Sequence, residues 1–377
     1  MIRSTVAHVS LAALQANYRA LVAHLSAEAG RTAPDVIAVV KANAYGHGAT
    51  RVALALEAAG ATMLACADIE EGVALRRAGV TVPVLVFGAL SVSDLDGILD
   101  HNLTPTISTP FAARAVEAAG AQRDRAIGYH LKIDTGMNRL GFRHDNLERT
   151  LPEVLASPHL HLEGVSTHFA SADVPDSPSF DQQRTRFDAA LATVGRLGGR
   201  PRIRHAANSA AILRDSRVWY DAVRPGLLLY GIVPPPLAST LSLTPAMSLT
   251  SRVVAVKGLR PGEGVGYGGR FTTDVPRSIA VVPAGYADGL DTRLSGRGSV
   301  LIRGRRAPVV GAVSMDMMTV DVTGLGDVQP GDEVVIIGRQ GDESWQQIDA
   351  REMAAVIGAI PWEVVCRLGT RIERVFE

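Results

Sequence analysis

Two cysteines, Cys66 and Cys366, are all the thiol in this sequence, and they stand far apart. That spacing argues against a disulfide framework and against a thiolate metal site. The ten histidines are scattered. No HExxH or comparable ligand spacing occurs, so no metal centre is expected. Neither sign of charge is in excess, because 38 Lys and Arg balance 38 Asp and Glu. With no basic or acidic run, the electrostatic footprint of a nucleic-acid partner or an anionic membrane surface is missing. No stretch approaches ~18 uninterrupted apolar residues, so no membrane span is expected. No Gly-rich phosphate loop follows the first expected strand, which argues against an open doubly wound nucleotide-binding sheet.

What is present is a large supply of core. Of the 377 residues, 47% are hydrophobic, enough for about two domains. Leu11, Leu14, Tyr18, Leu21 and Leu25 recur at helical spacing behind Ser10, a candidate N-cap. Asn17, Arg19 and His24 interrupt any continuous apolar region, so this segment reads as an amphipathic helix of the fold and not as a signal peptide. A cytoplasmic location is expected. Short apolar runs then alternate with helical patterns. The expected strands are Val36–Lys41, Met63–Ala67, Val82–Phe87, Leu103–Ile107, Ile127–Ile133, Leu160–His168, Ile203–Asn208 and Ala222–Tyr230. Between them lie Arg51–Gly60, Ile69–Gly79, Ala112–Gly120 and Phe180–Gly198, each ending in a glycine stop signal. This repetition predicts an α/β fold, a (β/α)₈ TIM-type barrel over residues 11–235.

After Pro234-Pro235-Pro236 helical periodicity gives way to Val/Ile alternation with Gly and Pro turns. Residues 236–377 are expected to form a mostly-β domain, and residues 1–10 to pack with it. Its expected strands are Arg252–Val256, Ile279–Val282, Ser299–Ile302, Val309–Val313 and Glu333–Ile337, with one helix near Ile348–Ile357.

In a (β/α)₈ barrel the chemistry gathers at the C-terminal ends of the strands. There the sequence places Lys41, then Lys132-Ile133-Asp134-Thr135-Gly136-Met137-Asn138-Arg139, then Thr167-His168, Asn208-Ser209 and Arg224-Pro225-Gly226. Each has an ordinary structural reading. His168 suits a satisfied core histidine and Arg224 an ion pair; Asn208-Ser209 suits a helix cap and Gly226 a turn. Their coincidence on one rim is the informative fact. Ser209 and Gly226 follow the last two strands, where such barrels commonly hold a phosphate. A lysine closing a buried strand is costly unless it has a partner or a task, and one task is covalent capture of a carbonyl cofactor. Phosphate, amine nucleophile and cationic partner together suggest pyridoxal 5′-phosphate (PLP).

Several motifs in order carry a family resemblance. They are Val39-Val40-Lys41-Ala42-Asn43-Ala44-Tyr45-Gly46-His47-Gly48, the Lys132–Leu140 segment followed by Gly141, Thr167-His168-Phe169-Ala170, Ala207-Asn208-Ser209-Ala210-Ala211, Val223-Arg224-Pro225-Gly226, Val265-Gly266-Tyr267-Gly268, Gly285-Tyr286-Ala287-Asp288-Gly289 and Ser314-Met315-Asp316. The chain resembles the bacterial alanine racemases, PLP enzymes of fold-type III, over nearly its whole length. The resemblance implies a homodimer with shared active sites that interconverts L- and D-alanine and supplies D-alanine for peptidoglycan. Lys41 is then the cofactor-bearing lysine and one acid/base. Tyr267, reaching the site from a partner subunit, is the other. Arg224 bonds the pyridine nitrogen, with His168 beside it. Tyr45, Asn208, Ser209, the backbone near Gly226 and the Trp362 position belong to the cofactor site. Arg139 and Met315 bind the substrate carboxylate, and Lys132 resembles a lysine often carbamylated to position that arginine. Tyr286 resembles an inner gate of the substrate channel, and Asp316 supports that region.

Three positions depart from the family pattern. Trp362 stands where many relatives carry a tyrosine that contacts the phosphate, and indole has no comparably placed hydroxyl. Ser314 stands at a frequent cysteine, and Ala312 at a frequent entrance arginine. These changes keep open a broad-specificity or serine racemase of the same fold. A decarboxylase of the same cofactor class lacks its acidic or cysteine motif here. A non-catalytic PLP-binding protein would resemble the barrel alone, whereas Tyr267 lies in the second domain.

Overall fold

The computed structural model describes residues 4–28, 32–88, 90, 95–341 and 344–377. The chain divides into two compact units. Leu14–Ala44 and Ala49–Thr244 form one; the N-terminal residues through Ala13, Tyr45–Gly48 and Pro245–Glu377 form the other.

The first unit is the barrel. Eight parallel strands close on themselves: Asp35–Val39, Met63–Cys66, Val84–Val86, Thr104–Ile107, Ile127–Asp134, Leu160–Ser166, Ile203–Asn208 and Ala222–Arg224. Most strand residues are buried because helices cover the outer face of a parallel sheet, and that is why the strands read as apolar runs. Helix Leu11–Glu28 opens with Ser10 Oγ accepting from Ala13 N–H at 3.1 Å and buries Leu14, Tyr18, Leu21 and Leu25. Asn17 is buried too, and its amide donates to Leu229 O at 3.0 Å and Thr244 O at 2.8 Å.

Six of the expected strands are longer than the observed ones: Val82–Phe87 is trimmed at both ends to Val84–Val86, and Met63–Ala67 and Leu103–Ile107 each lose one residue. The other three matter for the site. The first ends at Val39, and from Ala42 to Tyr45 the backbone runs left-handed with φ of 52–53°. The sixth ends at Ser166, two residues before His168. The eighth ends at Arg224, because Pro225 has no N–H for the ladder. Leu227–Tyr230 is instead a 3₁₀ turn closed by left-handed Gly231. Gly60, Gly79 and Gly198 do follow helix ends with positive φ. Gly120 does not; it sits inside helix Pro110–Gln122, where a Cβ would meet Arg125 O at 2.8 Å.

Two register irregularities interrupt the barrel ladders. One falls between Tyr129 and His130, which pair with Leu162 and Gly164. The other falls between Ala222 and Arg224, which pair with His205 and Asn208. A bulge re-aims the side chains beside it, and the residues beside these two are His130, His205 and Arg224.

The second unit is mostly β. Its main sheet runs Ala255–Leu259, Arg277–Val282, Met318–Asp321, Arg305–Val310, Ser299–Ile302, Glu333–Gln340, Met247–Arg252, Val6–Val9, Glu373–Phe376. Residues 1–3 lie outside the described residues. The expected strand Arg252–Val256 is really a junction, since one strand stops at Arg252 and another starts at Ala255. Between them Val253 N–H bonds Asp332 O and Val254 N–H bonds Val281 O, each at 2.9 Å. The expected Val309–Val313 is displaced to Arg305–Val310, ended by Gly311 at φ 71°. Two helices occur where one was expected, Ala350–Ile357 and Pro361–Cys366.

Candidate active site

Within the barrel, the candidate residues gather around Arg224. It is 5% exposed and donates to four acceptors. One terminal nitrogen reaches His205 Nδ1 at 2.8 Å. The other reaches Thr167 O at 2.8 Å, Ala206 O at 2.9 Å and His168 Nδ1 at 3.2 Å. None of these partners is a carboxylate. Burial pulls the guanidinium down to about 9, so it remains cationic at neutral pH.

These bonds fix tautomers. A guanidinium has no acceptor, so His205 Nδ1 and His168 Nδ1 must both accept. The proton of His205 therefore sits on Nε2, which lies 2.8 Å from His130 Nδ1 and donates to it. His130 in turn carries its proton on Nε2, a fully buried atom with no hydrogen-bond partner. The chain Arg224 to His205 to His130 crosses the barrel interior, because the strand of His130 and that of His205 are separated by Leu160–Ser166. Gly164 on that intervening strand leaves the space: a Cβ there would lie 2.7–2.8 Å from His130 ring atoms. Burial and then Arg224 hold His130 down to about 3 and His205 well below the usual histidine range. Both imidazoles are neutral.

The rim above is rich in basic groups. Burial, then Lys132, Arg224, Lys41 and Arg139 in that order, depress His168 far below its ordinary range. These four basic groups therefore act on one imidazole. Burial, Arg224 and Arg139 likewise pull the Lys132 amine well below the lysine range, opposed only by Asp134. Asp134 also shapes the Arg139 loop, accepting from Gly136 N–H at 2.9 Å and Asn138 N–H at 3.1 Å. Arg139 itself is exposed.

Ser209 is buried, and its Oγ accepts from Gly226 N–H at 2.9 Å and Leu228 N–H at 3.4 Å, leaving its own proton to donate. The Asn208 side-chain oxygen is committed as a helix cap, accepting from Ala211 N–H at 3.0 Å. Lys41 is half-buried and starts the left-handed run.

The second unit, taken by itself, holds its own candidate residues in two places. Tyr45 and Trp362 belong to one neighbourhood: a Cβ on Gly46 would lie 2.1 Å from Val365 O, so glycine lets this loop touch helix Pro361–Cys366. Burial and then Cys366 push the Tyr45 phenol up, keeping it a proton donor. Tyr267, Tyr286, Ala312, Ser314, Met315 and Asp316 line one open cleft. Tyr286 and Ala287 N–H bond Ser314 O and Met315 O, each at 3.0 Å, an approach that only a glycine at 285 permits. Arg371 pairs with Asp316 at 2.7 Å and with buried Asp288 at 3.5 Å. Tyr267 is 78% exposed and Met315 52%.

Sequence reasoning did not single out His130, His205, Gly164 or Glu71, whose carboxylate bonds backbone N–H groups of Ala42, Asn43 and Ala67. Available signals were the period-two polar face His130, Lys132, Asp134 and the Asp68-x-x-Glu71 capping pattern.

A (β/α)₈ barrel and a mostly-β domain are an architecture that this chain shares with a class of isomerases of known structure. Family models for the alanine racemase N-terminal and C-terminal domains match residues 9–234 and 246–376. The alanine racemase of Symbiobacterium thermophilum is 43% identical over 99% of this chain and 97% of its own length. The crystal structure of alanine racemase from D-cycloserine-producing Streptomyces lavendulae superposes with a TM-score of 0.93 at 34% identity, covering 100% of this chain and 98% of that one. That of Bartonella henselae, with covalently bound pyridoxal phosphate, gives 0.88 at 27% identity, covering 99% of each chain. The chain belongs to the alanine racemase family.

Proposed function

We propose that this chain interconverts L- and D-alanine with PLP, using Lys41 and Tyr267 as its two proton carriers. The observation that carries the reading is a buried Arg224 bonded to His168 Nδ1 at 3.2 Å, at a rim where Lys41, Lys132 and Arg139 act on the same imidazole. A rim of basic groups around a buried, cationic Arg224, with Asp134 as the carboxylate acting on Lys132, calls for an anion. The donor set fits PLP: an amine for its aldehyde, a guanidinium for its ring nitrogen, and the Ser209 hydroxyl for its phosphate. When bound, PLP holds the substrate amine and delocalises the charge left when Cα loses its proton.

The remaining chemistry belongs to the chain. Lys41 Nζ moves a proton on one face of the substrate. Tyr267 Oη of the partner subunit moves one on the other face, so neither base has to travel around the carbon. The 78% exposure of Tyr267 supports this assignment, since its own chain leaves the phenol uncovered. A second copy covering Tyr267, Tyr286 and Met315 makes the working unit a homodimer. Arg224 stays cationic while all its neighbours accept, so it does not hand its proton to a pyridine nitrogen. That restrains charge build-up on the ring and disfavours transamination. Arg139, with Met315 of the partner subunit, binds the substrate carboxylate. The depressed Lys132 amine suits attack on CO₂; loss of its proton gives a carbamate anion that pairs with Arg139. Tyr45 donates to the phosphate, and Trp362 fills the position beside it. The product serves peptidoglycan synthesis in the cytoplasm. Trp362 also favours a second reading, acceptance of larger side chains such as serine.

The test follows deuterium entering Cα of L-alanine from solvent together with the loss of optical rotation. Coupled exchange and inversion are expected, with Tyr267→Phe slowing inversion by about 10²- to 10⁴-fold. Exchange without inversion refutes the two-carrier assignment. Equal rates on alanine and serine favour the second reading.

A further inference from the structure

Glu71 has no part in the chemistry above. It lies on barrel helix Ile69–Arg77, whose N-cap Asp68 accepts from Glu71 N–H at 2.8 Å. In a plain capping box the Glu71 carboxylate would turn back to the N-cap N–H. Here it reaches further. Oε2 accepts from Ala67 N–H at 2.8 Å, just past barrel strand Met63–Cys66. Oε1 accepts from Ala42 N–H at 2.6 Å and Asn43 N–H at 3.4 Å.

Those two N–H groups open the left-handed run that follows Lys41. Ala42, Asn43, Ala44 and Tyr45 hold φ of 52–53°, and none is glycine. Crowding of Cβ against the carbonyl disfavours this conformation in every L-residue, so the run needs fastening from outside. One fastening is made by the side chain of Asn43, whose Oδ1 accepts from Ala49 N–H beyond the run at 2.8 Å. The near end of the run is fastened by Glu71. A charged acceptor suits the place, because charge-assisted bonds are shorter and stronger than neutral ones. The residue whose backbone enters this turn is Lys41.

We propose that Glu71 is a positioning residue for Lys41. By clamping the first N–H groups of the left-handed run, it sets the direction in which the lysine stem leaves the backbone. The inference rests on the reading of Lys41 as the cofactor-bearing lysine.

The experiment loads purified apo-protein with PLP, follows capture by stopped-flow absorbance, reduces with borohydride and maps the labelled peptide. Wild type, Glu71→Gln, Glu71→Ala and Glu71→Ala/Ala42→Gly are compared, with melting temperature, kcat and KM for alanine recorded on each. Glu71→Ala should slow capture about tenfold and lower kcat about tenfold, with KM moving less than about twofold. Glu71→Gln keeps one acceptor oxygen and a better chance of folding, and should fall between. Glycine at 42 removes the Cβ crowding and should recover a large part of the loss. A helix-capping role alone would lower the melting temperature of both Glu71 variants without changing capture, and would give no recovery from glycine; that result overturns the proposal. Wild-type label on a peptide other than that of Lys41 overturns the underlying reading and the proposal with it. Label on Lys41 in every protein at the wild-type rate overturns the proposal alone.

Discussion

Substituting Gly164 with alanine should damage the barrel out of proportion to one methyl group. The new Cβ would lie 2.7–2.8 Å from Cε1, Nδ1 and Cγ of His130, a ring that is 0% exposed. The clash is not at the tip of a flexible side chain, so the ring must tilt as a body. Overpacking of this kind costs about 1–3 kcal/mol. Tilting also breaks the 2.8 Å bond from His205, leaving a buried N–H without an acceptor. That adds about 1–3 kcal/mol, for a total of roughly 2–6 kcal/mol. At about 2–4 °C per kcal/mol for a unit of this size, the barrel's melting temperature should fall by on the order of 10 °C. Calorimetry on apo-protein provides the assay. His130→Ala removes the obstacle, so the Gly164→Ala/His130→Ala double variant should be more stable than the sum of the single effects by about 1–3 kcal/mol. A Gly164→Ala protein melting with the wild type, or strictly additive energies, would refute the argument that glycine makes room for the imidazole.

Two further outcomes follow. Arg224→Lys should destabilise the apo-protein by about 1–3 kcal/mol in urea denaturation, because an ammonium has only three protons for the acceptors at His205, His168, Thr167 and Ala206; unchanged stability would show that these bonds do not hold Arg224. Acid should also weaken the fold. His130 is held at about 3 against an ordinary 6.5, with His168 and His205 displaced the same way. The folded state refuses protons that the unfolded chain accepts, so this stability is present above pH ~6.5 and is lost as pH falls towards ~3, at up to about 1.4 kcal/mol per unit for each histidine. Urea midpoints that stay level from pH 7 to 5 would contradict neutral imidazoles in the interior.

The barrel was legible because buried parallel strands leave short apolar runs, and eight of them recur with helices between. Strand ends were less legible, since side-chain type does not record where a ladder stops. Leu227–Tyr230 is as apolar as any strand, yet Pro225 ends the pairing before it. The left-handed run was invisible because Ala42, Asn43, Ala44 and Tyr45 include no glycine; it depends on a carboxylate 29 residues away in the chain. Lys41, His168, Arg224 and Ser209 could be named from motifs, and their grouping at a rim followed from the barrel. His130 and His205 could not be paired in advance. Their contact needs a missing side chain on the strand between them, and a lone glycine in a strand carries no such message.

Most eight-stranded barrels stack aliphatic layers in their lumen, and aliphatic layers tolerate misalignment. A lumen spanned by two imidazoles and a guanidinium does not. Were the Ile127–Asp134 strand to slip by one position, every side chain on it would change faces, and His130 and Lys132 would be thrust among the greasy undersides of the surrounding helices. The polar crossbeam thus acts as an assembly gauge, admitting one alignment of the hoop and rejecting its neighbours.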